Sequence, residues 1–321
     1  MEWLWIPVLA AAVALLLSRF CFHIVFFSSR RKPFDEEAVM TPSGAVYDPF
    51  RPQMEQWIRQ TRAMPGQRLS IRSFDGLILC GTYYEYAPGA PIELMFHGYR
   101  GTSERDLCGG VQRCFALGHS ALIVDQRGCG RSGGDTITFG IREKRDCRAW
   151  VELAVSTWGP DCRIILTGIS MGASTVLMAA GGDLPEQVVG VLADCGFTGA
   201  EDIIKKVMRQ IHLPASLLYP FVAWGARIFG RFDVGEDSAL EAMGRCRLPV
   251  IFFHGEADDY VPCDMSRRNY EACTARKMLV TVPGAGHGLS FPVAPDCYLA
   301  AMREFFGPEL CPGTDRVEIT L

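Results

Sequence analysis

Two short stretches of this chain, GISMG at residues 168–172 and GRSGG at residues 130–134, set a serine between glycines in the pattern Gly-x-Ser-x-Gly. That pattern suits a serine nucleophile on a sharp turn between a strand and a helix, and the chemistry it serves is acyl transfer. The glycine content makes the pattern permissive, so context has to separate the two serines. Ser170 follows the apolar run RIILT directly and precedes the helix-forming run ASTVLMAA. Ser132 lies beyond the apolar run ALIVDQRG and leads into GDTITFG, which has no helical period. Ser170 is therefore the candidate nucleophile and Ser132 a structural serine. At a strand-to-helix corner a side chain on Gly168 or Gly172 would have no room, and the N–H of Met171, opening the helix, is placed to donate to a developing oxyanion.

A serine hydroxyl is inert without a base, and the base needs an acid to orient it. His287 lies in GAGHG, after the apolar run KMLVTVP, where glycines leave an imidazole room to swing over a sheet end. The segment HGEADDYVP after PVIFF offers Glu256, Asp258 and Asp259, and Asp194 follows VVGVLA as a more distant acid. His97 and His254 each precede a glycine at a strand end and are expected to shape turns. His119 opens a strand and is expected to be a surface cap. Cys195 has no dedicated base and reads as packing, and Cys129 carries no chemistry.

These residues need a scaffold that brings distant loops to one edge. SIRSFDGLILCGTYYEY reads as a hairpin about Asp75-Gly76. After it, continuous apolar runs alternate with helical periods: PIELMFHG, then a helix over SERDLCGGVQRCFALG, then ALIVDQRG, and onward to a last helix over residues 294–306. Buried strands alternating with helices predict a mostly parallel sheet covered on both faces, an α/β fold. The rhythm breaks between Phe197 and Leu248, where a helical, aromatic, proline-interrupted stretch reads as an inserted lid over 198–247, serving as pocket wall or as its own core.

Taken together, GISMG, HGEADDYVP and GAGHG, with HGYRG and DQRGCGRS upstream, resemble the α/β-hydrolase family over roughly residues 68–306. More narrowly, they are similar to the bacterial membrane-anchored hydrolases grouped with serine aminopeptidase-like and BEM46-like proteins. The resemblance implies the order Ser170, Asp258, His287 for a catalytic triad, with Asp258 as the acid because it stands four residues after His254. It also implies that the backbone of Tyr99, after the first His-Gly, joins Met171 in the oxyanion hole, and that Ser132 sits in a structural glycine-rich loop.

The remaining composition bounds the setting. A net charge of -4 without blocks of like charge argues against a nucleic-acid partner. The 13 cysteines lack the pairs or Cys/His clusters of a zinc site and fit a reducing compartment. No metal or organic cofactor is implied. Residues 3–27 are apolar but for Arg19 and His23, with Glu2 before them and Arg30, Arg31 and Lys32 after. That reads as an uncleaved anchor in residues 1–32 with the rest of the chain cytoplasmic; a span ending at Leu17 would instead be a shallow interfacial helix. Residues 33–66 read as a tether, with one short helix over 54–62, and 67–321 as the hydrolase domain. The expected activity is hydrolysis of a carboxylic ester, acyl or lipid-like, through an acyl-enzyme. The alternative is an aminopeptidase or amidase acting on a short peptide, which would need an acid such as Glu104, Glu201 or Asp202 in the pocket to hold an ammonium. A non-catalytic binding protein of the same fold is a third reading.

Overall fold

The computed structural model describes residues 5–28 and 38–312. Trp3 and the charged residues expected to flank the anchor, Glu2, Arg30, Arg31 and Lys32, lie outside the described residues.

The N-terminal apolar run forms one helix, α1 (Trp5–Val25), and a 3-10 turn (Ala45–Phe50) leads into α2 (Arg51–Ala63). The hairpin expected about Asp75-Gly76 is β1 (Gly66–Arg72) and β2 (Ile78–Tyr84). The alternating rhythm then runs β3 (Ile92–Phe96), α3 (Ser103–Asp106), α4 (Gly110–Leu117), β4 (Ser120–Val124), α5 (Glu143–Trp158), β5 (Ile164–Ile169), α6 (Met171–Ala180) and β6 (Val188–Asp194). Three helices interrupt it: α7 (Ala200–Gln210), α8 (Ala215–Gly225) with a π turn (Ala226–Gly230), and α9 (Ala239–Arg245). β7 (Val250–Gly255), α10 (Cys263–Ala272), β8 (Lys277–Val282), α11 (Ser290–Val293) and α12 (Pro295–Phe306) complete it.

Eight strands among the described residues form one sheet in the order β1-β2-β4-β3-β5-β6-β7-β8. The two pairings of β2 are antiparallel and the rest are parallel. Every residue of β3, β4 and β7 is buried, as a strand covered on both faces requires. The chain moves outward from β3 to β4 and then jumps back across β3 to β5. At such a reversal the loops leaving neighbouring strands diverge and open a crevice beyond their carboxyl ends. The loops after β3 and β5 carry Tyr99 and Ser170.

A carboxylate lies deep inside this sheet. Glu93 on β3 is fully buried, and Arg113 of α4 and Thr167 of β5 donate to its carboxylate while His119 Nδ1 stands 2.8 Å away. Burial opposes the charge, but Arg113 and His119 outweigh it and hold the Glu93 carboxyl down at about 2. His119 is thus not the surface cap expected from its place before β4. It is fully buried, with Nε2 against the carbonyl of Leu310, because Glu93 lies opposite Ala121 in the register and an internal carboxylate demands polar neighbours.

The polar stretch that suggested a tether is built into the body where it is described. Met54, Trp57 and Ile58 of α2 are buried, and Gln112 donates to the Trp57 carbonyl at 3.0 Å. Just beyond α1, Phe26 is fully buried with its ring edge-on to Phe139 and Phe232. Ser28 donates its amide to Asp135 and its hydroxyl to Gly128.

The Glu93 cluster yields a stability prediction. Glu93→Gln strands the buried Arg113 guanidinium and should cost about 3–5 kcal/mol in urea unfolding at neutral pH. A depressed carboxyl contributes stability that is present above the ordinary glutamate range and lost as pH falls through it toward about 2. The wild type should therefore lose more stability than the variant over that acid interval.

Candidate active site

The nucleophile candidate owes its position to a lack of space. α6 begins one residue after β5 ends, so Ser170 alone must turn the chain, with φ 56° and ψ −118°. A Cβ on Gly168 would overlap the Gly172 carbonyl, and one on Gly172 would overlap the carbonyl of Phe96. A non-glycine residue in this conformation costs about 1–3 kcal/mol, which its surroundings must offset. The Ser170 amide donates to Asp194 O at 2.8 Å, and Ser174 N returns to Ser170 O at 3.1 Å.

His287, in the loop after β8, sets Nε2 2.9 Å from Ser170 Oγ and Nδ1 2.7 Å from Asp258 Oδ2. The nitrogen facing a carboxylate carries the proton, which leaves Nε2 free to accept from the serine hydroxyl. Asp258 is held in turn by the amides of Tyr260 and Val261 on Oδ1, at 2.9 and 2.8 Å, and by His254 Nε2 at 3.2 Å from Oδ2. Burial opposes ionisation of Asp258, but the hydrogen bonds from His254 and His287 prevail and keep its carboxyl well below the usual range. It is the only one of the four candidate acids that meets His287. Glu256 is exposed and accepts from Thr281, Asp259 is exposed, and Asp194 is buried against Ser290 and Tyr298.

Tyr99, in the loop after β3, lines the same cavity as Ser170, and Met171 is the first residue of α6. Neither amide has a hydrogen-bond acceptor among the described residues. The turn carrying Tyr99 is fixed from below. His97 Nε2 accepts from the Gln126 amide at 2.9 Å, so Nδ1 carries hydrogen toward Gly98 O at 2.7 Å, while Asp106 accepts from Gly98 N. His97 and His254 thus shape turns, as expected. The arrangement can deprotonate a serine hydroxyl and offer two amides to an oxyanion.

Cys195 lies close enough to Asp258 and His287 for the three to suggest a metal donor set. Both ring nitrogens of His287 are already engaged, however. Burial, then the charge of Asp194, push the Cys195 thiol well up, so it stays a neutral thiol and a poor ligand.

Ser170 and His287 open on a cavity of about 420 Å³. Its inner wall is Met95, Thr167 and Leu192 on three strands, and its outer wall includes Pro42, Val46 and Tyr47. No residue of 198–247 lines it. Residues of the 33–66 segment line the cavity where the 198–247 insertion does not. Tyr47 also donates to the His287 carbonyl at 3.0 Å. Sequence reasoning missed this contact, since a lone tyrosine 240 residues away carries no local signal. Glu104, Glu201 and Asp202 do not line the cavity; they meet Arg62, Lys205 and Thr198 instead.

Ser132 is fully buried, donating to Asp125 O and accepting from Cys80 N at 2.8 Å.

A family model described as "Alpha/beta hydrolase family" matches residues 94–296. An uncharacterized protein of Bacillus subtilis, YqkD, is 30% identical over 190 residues, which are 59% of this chain and 62% of that protein. The chain thus spans less than two thirds of that relative's length. Protein bem46 of Schizosaccharomyces pombe is 25% identical over 234 residues, covering 70% of this chain and 71% of the relative. Among solved structures, the Pyrococcus furiosus esterase Pf2001 superposes with a TM-score of 0.63 at 19% identity, covering 84% of this chain and 97% of that one.

The two Gly-x-Ser-x-Gly serines should separate in one experiment with a fluorophosphonate probe. Ser170→Ala should abolish labelling and remain folded. Ser132→Ala should keep labelling while losing about 1–3 kcal/mol, since it removes both hydrogen bonds of a fully buried hydroxyl.

Proposed function

The chain belongs to the alpha/beta hydrolase family, and on that premise we propose that it is a serine hydrolase cleaving a carboxylic ester with an acyl or lipid-like chain. The observation that carries this reading is the continuous hydrogen-bonded chain from Ser170 through His287 to Asp258, at 2.9 and 2.7 Å. In the proposed reaction His287 Nε2 takes the hydroxyl proton of Ser170 as Oγ attacks the ester carbonyl. The amides of Tyr99 and Met171 receive the oxyanion, and Asp258 stabilises the imidazolium. His287 returns the proton to the leaving alcohol as the carbonyl–oxygen bond breaks. Water, activated by the same imidazole, then releases the acid and restores Ser170.

The substrate side of the proposal rests on the cavity and the anchor. Methionine and leucine on its inner wall suit an acyl chain. α1 has 21 residues with mean hydropathy 2.2 in its most apolar window, long enough to cross a bilayer. A removable leader is disfavoured by Phe26 and Ser28, since cleavage beyond α1 would empty a buried ring site and break the bonds to Asp135 and Gly128. The reading keeps the catalytic domain on the cytoplasmic side, following the basic residues after α1.

The test is a panel of p-nitrophenyl esters of increasing acyl length and aminoacyl anilides on the full chain in detergent. Esters should be turned over, with longer acyl chains preferred, and Ser170→Ala or His287→Ala should lower turnover by a factor on the order of 10^4. Ester turnover that survives Ser170→Ala rules out the nucleophile, and anilides preferred over esters would make the enzyme a peptidase.

A further inference from the structure

α1 is not a free stalk. Its residues Leu17, Ser18, Cys21, Phe22 and Val25 form a stripe that is buried or half-buried against the body, whereas Val13, Leu16, Phe20 and Ile24 stay exposed. The partner of that stripe is α8 with its π turn. A Cβ on Gly225 would overlap the Ser18 carbonyl and press on Phe22, so the two backbones meet there at close range, the contact that small residues permit between membrane helices. Phe22 also packs its ring on Phe229 at 6.2 Å.

This contact fixes a depth. By helical rise, Ser18 and Phe22 lie about 10 and 5 Å before the C-terminal end of α1. α1 spans about 31 Å in all, close to the full hydrocarbon thickness. If α1 crosses the bilayer, the residues beside Ser18 and Phe22 on α8 are at hydrocarbon depth too. The surface of α8 is apolar, and the one charge of residues 215–230, Arg227 of the π turn, is paired with Asp233 at 2.7 Å. Leu217, Trp224 and Ile228 are 65%, 47% and 53% exposed, and Ile211 and Leu213 just before α8 are exposed as well. Charged side chains gather at the level where α1 ends. Arg100 donates to the carbonyls of Ile24 and Phe27, and Arg142 donates to those of Gly230 and Arg231. Arg19, within the span and exposed, sets its guanidinium over the rings of Phe22 and Phe229 at 5.7 and 5.3 Å.

We propose that α8 and its π turn enter the bilayer beside α1, with lipid acyl chains covering Leu217, Trp224 and Ile228. The proposal rests on α1 as a membrane helix and not on the hydrolase reaction. It explains why the helical insertion does not cover the cavity: its apolar face is turned to lipid. It also ties the bilayer to the catalytic turn, because the Tyr99 hydroxyl donates to the Val25 carbonyl of α1 at 2.7 Å.

The full chain, reconstituted in phosphatidylcholine vesicles with some phosphatidylglycerol, tests this by tryptophan quenching. Subtracting the emission of Trp224→Phe from that of the wild type isolates Trp224. Vesicles with acyl chains brominated at mid-chain should quench most of that component, and iodide in the buffer should leave it unchanged. A component quenched by iodide and untouched by bromine overturns the proposal. A photoreactive benzoyl-phenylalanine replacing Leu217 should cross-link to lipid; failure to do so, with the chain folded and bound, also overturns it. Release of the whole chain from vesicles by alkaline carbonate overturns the anchor, and the insertion of α8 with it, while ester turnover in detergent remains a separate measurement.

Discussion

Helix α6 can start directly after β5 only because Gly168 and Gly172 carry no side chains, and the rest of the site depends on that close crossing. With Ser170 as the single residue between strand and helix, it must take a positive φ, and its hydroxyl meets His287 Nε2. The next amide, Met171, falls at a helix start where no intrahelical acceptor exists. The loop after β3 is constrained by the same contact, since Gly172 sits against the Phe96 and His97 carbonyls. One steric condition therefore governs both the placement of the Ser170 hydroxyl and that of the Met171 amide and the loop that carries Tyr99.

Beneath this corner the sheet is polar where a simple core would be apolar. Asp194 accepts the Ser170 amide on its carbonyl while its carboxylate takes hydrogen bonds from Ser290 and Tyr298. Two strands away, Glu93 gathers Arg113, His119 and Thr167. Burying such groups costs more than burying methylenes unless each finds a partner, so these networks permit few alternative packings. They join β3, β5, β6, α4 and α12, the elements on which the proposed nucleophile and the cavity floor rest.

The N-terminal segment changes its meaning in three dimensions. Residues that a composition scan treats as anchor and tether supply a cavity wall, a hydrogen bond to the His287 loop, and a carbonyl that holds Tyr99. A fragment beginning at the first strand would lack all three. The helical insertion, in contrast, stands clear of the cavity and packs on α1.

What could be read along the chain is what local spacing encodes. Apolar runs alternating with helical periods required a mostly parallel sheet, and the glycines around Ser170 separated it from Ser132, whose loop has no helical period. The motifs also set Ser170, Asp258 and His287 after the strands whose ends the fold brings together. What local spacing cannot encode is which partner a residue meets across the fold. A polar residue before a strand is commonly solvated, which makes His119 look like a cap; the buried Glu93 carboxylate, 2.8 Å from Nδ1, and the Leu310 carbonyl are what hold it inside. Among the three acids of HGEADDYVP the local residue types do not choose, and only the resemblance to the family motif points to Asp258; the turn that brings the Tyr260 and Val261 amides onto Oδ1 is what sets its other oxygen against His287. Tyr47 meets the His287 loop through a closure over most of the chain, a contact whose loop entropy is repaid only by tertiary packing and so leaves no periodic trace.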